Sequence, residues 1–233
     1  MTLNEEILLL ANGHHTPFLD VLMSSYTSAW IWIPFYVACF GALVYKYGWL
    51  KAVYYLAFIG MAIGAADYIC ASIIRPIFQQ MRPSNPDNPF SQYITVVNGY
   101  RGGRYGMPSC HAANCFALAA SLITFTRSRW LAIIMPLWAL FVCYTRMYMG
   151  VHYPSDLLVG ACIGTALGIL FAMLGQLLLK RIAYIRQRRG YNIYTLRIFS
   201  AEMPYNISIP VTPIIIPTAI LIITLLAAIC YAW

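Results

Sequence analysis

Three short segments of this chain gather residues able to do chemistry. The first is Arg75-Pro-Ile-Phe-Gln-Gln-Met-Arg82-Pro83, with two guanidiniums seven residues apart. The second is Pro108-Ser109-Cys110-His111, and the third runs Thr145-Arg146-Met-Tyr-Met-Gly-Val-His152-Tyr-Pro-Ser-Asp156. An arginine is planar, always charged and shaped to grip an oxyanion through two parallel hydrogen bonds. A histidine can act as nucleophile or as general acid and base near neutral pH. A carboxylate four residues beyond a histidine can hold the far ring nitrogen and fix the tautomer. Arginines, histidines and one aspartate together point to an anionic group that is bound, attacked and given a proton.

The elements that must position these residues are membrane spans. The chain is 61% hydrophobic and only 9% charged, against roughly 25% charged in a soluble domain, and its mean hydropathy is +0.68. Apolar runs near the ~20 residues needed to cross a bilayer recur along the whole length. They predict six spans, at about 26–45, 50–74, 109–126, 130–149, 155–179 and 211–232, in one membrane domain over 1–233. A long polar loop, 75–108, separates the second span from the third, and a basic, tyrosine-containing stretch at 180–200 follows the fifth. Residues 1–25 lack the basic start of a signal peptide and read as a short amphipathic segment in the interface.

Positive charge orients the bundle. One side holds Lys46, Lys51, Arg127, Arg129, Lys180, Arg181, Arg186, Arg188, Arg189 and Arg197, ten of the fifteen Lys and Arg residues. That side is expected to be cytoplasmic, and 180–197 to be a basic loop facing anionic headgroups. The other five are Arg75, Arg82, Arg101, Arg104 and Arg146. All three polar segments then emerge together on the outer face. A net charge of +8 held in short loops between spans argues against nucleic acid as partner. The seven cysteines form neither a CxxC pair nor a cluster with histidine, which leaves no zinc site or disulfide framework to expect. A cysteine phosphatase built on Cys110 would need an arginine six positions on, where Phe116 stands.

In order and spacing the three segments resemble the signature of the type 2 phosphatidic acid phosphatase superfamily, K-x6-RP, PSGH and SR-x5-H-x3-D, across residues 75–156. That family includes lipid phosphate, undecaprenyl-pyrophosphate and lipid A phosphatases and the vanadium haloperoxidases. The chain departs from the pattern three times: Arg75 stands for Lys, Cys110 for Gly and Thr145 for Ser. The resemblance implies that His152 is the nucleophile, forming a phosphohistidine, with Asp156 holding its other nitrogen. His111 would then protonate the leaving oxygen and later activate water. Arg75, Arg82 and Arg146 would stabilise the charge spread over the transferring phosphoryl group. Pro108 suits the first position of a helix, so Ser109, Cys110 and His111 would add free N–H groups at a helix N-terminus.

Outside the segments, Asp67 is an ionisable residue inside the second span and reads as a partner of a motif residue. Arg101 and Arg104 could grip an extended headgroup or a second phosphate. His14 and His15 read as ordinary polar residues of the interface. The expectation is an all-α membrane bundle in a bacterial inner membrane. It would hydrolyse a lipid phosphate or pyrophosphate at the periplasmic face, with no cofactor, no metal and no obligate protein partner. Lipid A bearing a 1- or 4′-phosphate, undecaprenyl pyrophosphate and phosphatidylglycerol phosphate all fit as substrates. Alternatives are a lipid-to-lipid phosphotransferase and a transporter that binds phosphate headgroups without cleaving them.

Overall fold

A computed structural model describes residues 1–188. The expected span at 211–232, Cys230 and the part of the basic stretch beyond 188 lie outside the described residues. Every named element among the described residues is helical: α1 (Leu3–Asn12), α2 (Pro17–Tyr26), α3 (Ile33–Tyr47), α4 (Trp49–Tyr68), α5 (Arg75–Phe78), α6 (Cys110–Thr126), α7 (Leu131–Tyr148) and α8 (Pro154–Arg188). Four apolar stretches, Ala29–Tyr47, Trp49–Phe78, Leu131–Tyr148 and Pro154–Ile185, are long enough to cross a membrane. The third expected span, α6, has 17 residues, so at 1.5 Å per residue it covers about 25 Å.

α6 is central, packed against α4, α7 and α8. Its small residues explain how close α8 comes. Gly160, Gly164 and Gly168 recur every fourth residue on α8, and a Cβ on each would run into the carbonyl oxygens of Ser109, Ala113 and Ala117 respectively. Glycine against alanine lets the two backbones touch, the small-xxx-small packing of membrane helices. This seam sets the N-terminus of α8, with Asp156, beside the N-terminus of α6, with Ser109 and His111.

The larger apolar core extends from Trp32, beside α2, to the other end of the bundle. Trp32, Phe35, Tyr55, Phe125, Met135 and Trp138 are buried together there, with Tyr55 stacked on Phe125 at 4.0 Å. Lys46 Nζ donates to the Thr126 carbonyl at 3.2 Å and Tyr47 Oη to that of Phe125 at 3.2 Å. The α3–α4 and α6–α7 turns, and their basic residues, therefore share one end. Residues 180–188 are not loop: they continue α8, because no glycine or proline interrupts a pattern that still places apolar residues at Leu179, Ile182 and Ile185.

The N-terminal segment forms two capped helices that strap the polar loop to α7 and α8. Thr2 and Glu5 make a capping box at α1. Asn4 exchanges hydrogen bonds with Ser155, its Nδ2 donating to Oγ at 2.9 Å and its Oδ1 accepting from N at 3.0 Å. Buried Asn12 donates to the carbonyls of Tyr148 (2.6 Å) and Thr95 (2.9 Å) and accepts from Thr95 N (2.9 Å). His15 bonds Asp20 at 2.7 Å, and Asp20 also accepts from Tyr148 Oη at 2.7 Å.

Candidate active site

Each segment reaches the site through a local break in helical regularity. α4 widens into a π-helical turn, Ile69–Ile74, immediately before Arg75. Such turns are rare and tend to occur where a side chain must be re-aimed. Arg75 Nη2 then donates to the Pro108 carbonyl (2.9 Å) and contacts Cys110 Sγ (3.0 Å), tying the end of α4–α5 to the start of α6. Gln79 closes α5 in the left-handed region at φ 48, and the polar loop begins.

The second segment departs from expectation. Pro108 lies ahead of the helix rather than at its first position. Ser109 is the N-cap, its hydroxyl accepting from Ala112 N at 3.5 Å. Its own N–H is not free: it donates to the Asp156 carbonyl at 3.0 Å. Cys110 and His111 therefore supply the first-turn amides. Cys110, where the resembled pattern has glycine, sits in ordinary helical backbone, so the extra side chain brings no conformational strain.

The polar loop folds back on itself through Arg82 N to the Arg104 carbonyl (3.1 Å) and Gly106 N to the Gln80 carbonyl (2.9 Å). Arg82 is carried inward. Its Nε donates to the Tyr105 carbonyl (3.2 Å), and its Nη1 donates to the Val151 carbonyl (3.1 Å) and to His152 Nε2 (2.9 Å). His152 follows Gly150, whose φ of 69 turns the chain sharply after α7. Its Nδ1 lies 3.3 Å from Asp156 Oδ2, which also accepts from Tyr153 N at 3.0 Å. With a donor at Nε2 and a carboxylate at Nδ1, the proton belongs on Nδ1 and the lone pair on Nε2.

Arg82, Arg146, His152 and Asp156 are exposed by only 7, 2, 1 and 0%. Such burial disfavours charge on the imidazole, and Arg82, Arg146, His111 and Arg75 add to it, so His152 titrates well below its usual 6.5. Burial, then the neighbouring guanidiniums of Arg146 and Arg75, bring Arg82 down to about 10, which leaves it charged at neutral pH. Arg146 bonds Thr27 Oγ1 (2.5 Å) and lies over the Tyr100 ring at 5.6 Å. The Nε atoms of Arg75 and Arg146 are buried without a partner, so two guanidiniums keep donors in hand for an anion.

His111 faces a cavity of about 570 Å³ whose wall is mostly apolar, with Trp32, Tyr36, Phe40, Leu56 and Ile63 among its lining. Asp67 does not pair with an arginine; it accepts from Asn114 Nδ2 at 3.2 Å. Arg101 turns back into the loop, donating to the Ser84 carbonyl at 2.6 Å. Arg104 is exposed, 3.9 Å from Asp87. Among the described residues no three His, Cys, Asp or Glu side chains converge to hold a metal ion. Sequence reasoning missed Gly106, where a Cβ would lie 2.9 Å from Asp156 Oδ2 and 3.2 Å from Arg82 Cγ. The only trace of it is a glycine two residues before the Pro108 segment.

A helical membrane bundle with three arginines, a buried histidine–aspartate pair and a second histidine lining an apolar cavity has the makings of a lipid phosphatase. Residues 48–180 match the PAP2 superfamily, and the chain belongs to it. It is 44% identical over 180 residues to the lipid A 4′-phosphatase of Bacteroides thetaiotaomicron, covering 77% of this chain and 80% of that one. Similarity to the lipid A 4′-phosphatase of Porphyromonas gingivalis is 29% over 171 residues, 72% of this chain and 71% of the relative. The fold matches the crystal structure of Aquifex aeolicus LpxE with a TM-score of 0.53, at 23% identity, over 73% of this chain and 95% of that one. The protein is a membrane enzyme that hydrolyses phosphate esters of lipids.

Proposed function

We propose that this enzyme removes the 4′-phosphate of lipid A at the outer, periplasmic face of the inner membrane, through a phosphohistidine on His152. The observation that carries the mechanism is the buried pair itself: Nε2 at 2.9 Å from a guanidinium and Nδ1 at 3.3 Å from a carboxylate. The substrate rests on the 44% identity to a lipid A 4′-phosphatase, and the face rests on the basic end of the bundle lying opposite the site.

The phosphate enters among Arg75, Arg82 and Arg146 and the first-turn amides of α6, with the lipid body along the apolar cavity. Arg82 shifts its Nη1 hydrogen bond from Nε2 to a phosphate oxygen, which frees the lone pair. Nε2 attacks phosphorus, the P–O bond to the sugar breaks, and His111 gives its proton to the departing oxygen. Asp156 stabilises the Nδ1–H as positive charge grows on the ring. Water then gives a proton to His111 and attacks phosphorus, the P–N bond breaks, and the electron pair returns to Nε2 as inorganic phosphate leaves. Three guanidiniums supply the charge compensation here, and the site offers no carboxylate cluster for a divalent ion.

The test is phosphate release by the purified protein in detergent, with chelator present, beside His152→Ala. Mass spectrometry of the lipid identifies which phosphate is lost. Lipid A should lose its 4′-phosphate in chelator and not at all with the variant. A fully active variant refutes the phosphohistidine, and preferential cleavage of undecaprenyl pyrophosphate or phosphatidylglycerol phosphate refutes the substrate.

A further inference from the structure

The N-terminal strap reaches one of the three arginines. Arg146 Nη1 donates to Thr27 Oγ1 at 2.5 Å, so the residue that caps the C-terminus of α2 holds a guanidinium of the anion site. The match to the PAP2 superfamily begins at residue 48, and this anchor comes from outside it. Thr27 also lines the apolar cavity, as His111 does.

Thr27 is itself held firmly. Its N–H donates to the Met23 carbonyl at 3.1 Å, and Trp32 Nε1 donates to the Tyr26 carbonyl at 2.8 Å, which fixes the peptide just before it. α2 is fastened to α7 on both sides of Arg146. Before it in sequence, Phe141 meets the Tyr26 ring edge-on at 5.2 Å. After it, Tyr148 Oη donates to Asp20 Oδ1 at 2.7 Å, and Met23 is buried with Tyr148 and Val151. A hydroxyl mounted on this helix therefore cannot drift relative to the end of α7.

Arg146 is 2% exposed and its Nε is buried without a partner. Arginine has many rotamers, and freezing them when an anion binds opposes binding. A guanidinium is planar, so holding Nη1 on Thr27, with the Tyr100 ring 5.6 Å away, sets the plane and the direction of Nε before phosphate arrives. Preorganised donors of this kind stabilise developing charge best.

We infer that Thr27 is a positioning residue whose hydroxyl aims Arg146 at the phosphoryl group, which makes α2 a working part of the anion site. The inference rests on the reading of Arg146 as a phosphate ligand, and the experiment separates the two.

Full-length Thr27→Val, Thr27→Ser and Arg146→Ala proteins are assayed in detergent on whichever of lipid A, undecaprenyl pyrophosphate and phosphatidylglycerol phosphate the parent cleaves fastest. Inhibition by orthovanadate, a mimic of the transferring phosphoryl group, is measured beside kcat/KM. Valine keeps the shape of threonine and removes the acceptor, whereas serine keeps the acceptor. A hydrogen bond to a charged group is worth enough that T27V should lower kcat/KM about tenfold or more, and weaken vanadate inhibition by a similar factor. T27S should stay within about threefold of the parent, and R146A should lose more than T27V. The vanadate inhibition constant does not depend on how much of the enzyme is folded, so a purely structural role would lower the melting temperature and leave that constant unchanged. Parental vanadate inhibition in T27V, or a T27S protein as impaired as T27V, overturns the role of Thr27 while leaving Arg146 as a phosphate ligand. Parental activity and vanadate inhibition in R146A overturn the reading of Arg146 and the inference with it.

Discussion

Replacing Gly106 with alanine adds one methyl group beside the His152–Asp156 pair and changes nothing else. The residue is buried and its φ lies outside the left-handed region, so alanine suits the backbone, and the Gly106 N–H keeps its bond to the Gln80 carbonyl. The new Cβ would stand 2.9 Å from Asp156 Oδ2, 3.2 Å from Arg82 Cγ and 3.6 Å from His152 Nδ1. Ordinary contact begins near 3.4–3.5 Å, so the carboxylate oxygen must retreat by about 0.5 Å. It has little room to do so, held by Tyr153 N at 3.0 Å and facing His152 Nδ1 at 3.3 Å. That second bond is already long, and a shift of half an ångström takes it past the limit of a hydrogen bond.

An imidazole that loses its carboxylate loses both its tautomer and its aim, and misplacement on this scale lowers turnover roughly 10- to 100-fold. That corresponds to about 1.4–2.7 kcal/mol of transition-state stabilisation. The assay is phosphate release from lipid A, with thermal unfolding of each variant as the check on folding. Gly103→Ala is the control, since a Cβ there meets nothing within 4 Å, and it should stay within about twofold of the parent. Asp156→Asn, which adds no atom, should fall in the same direction. A folded G106A enzyme as fast as the parent would mean that Asp156 does not orient His152, and the triad reading would fall with it.

Two further predictions concern the strap and the nucleophile. Asn12→Ala removes three hydrogen bonds and leaves the groups at Thr95 and Tyr148 unpaired. It should cost about 2–4 kcal/mol, read as a drop of roughly 5–15 °C in detergent melting temperature; an unchanged melting point would show that α1 is not a structural strap. In the proposed mechanism His152 attacks as the neutral imidazole, and it titrates well below 6.5, so kcat/KM on lipid A should hold as pH falls through 6.5 and decline only further down. Stability has the opposite sign. The unfolded chain takes up this proton below 6.5 and the folded one does not, so folding weakens as pH falls below that value and is unaffected above it. An acid limb of activity at or above 6.5 would show that the nucleophile is not the buried histidine.

The three polar segments were legible because their chemistry lies in residue type and local spacing, and their convergence followed from counting charges at the ends of spans. Five of the six expected spans are helices, and the sixth lies outside the described residues. What the sequence hid depends on distant contacts. Nothing in Ile-Cys-Ala-Ser-Ile-Ile announces a π-helical turn, because that extra residue per turn is set by where Arg75 must reach across to Pro108 and Cys110. The glycines at 160, 164 and 168 are visible as a pattern, yet only the facing alanines of α6 show that the two backbones touch. Asn12 looks like any asparagine at a helix end, and its worth comes from Thr95 and Tyr148, far away in sequence. Ser109 looked like a donor to phosphate because its amide precedes a helix. Asp156, brought close by the glycine seam, takes that amide for its own carbonyl.

That last hydrogen bond links the packing of the bundle to its chemistry. Asp156 rides on the first turn of α8, and His111 and the free first-turn amides ride on the first turn of α6. Gly160 opposite Ser109 and Gly164 opposite Ala113 fix the separation of those two turns directly beneath the site, and Ser109 N to the Asp156 carbonyl joins their tips. α4, which packs on both α6 and α8, brings Asp67 and the turn that aims Arg75. α6 is therefore the common reference for His111, Asp156 and Arg75, and among the described residues it is also the shortest of the expected spans, packed against α4, α7 and α8. A lipid-facing helix could tilt with the bilayer; a helix locked between α4, α7 and α8 cannot tilt without breaking the site. Bilayer thickness should accordingly act more on how the substrate reaches the cavity than on the geometry of His152, because α8 meets lipid through Leu158, Ile169 and Leu170 while Gly160, Gly164 and Gly168 hold its other face against α6.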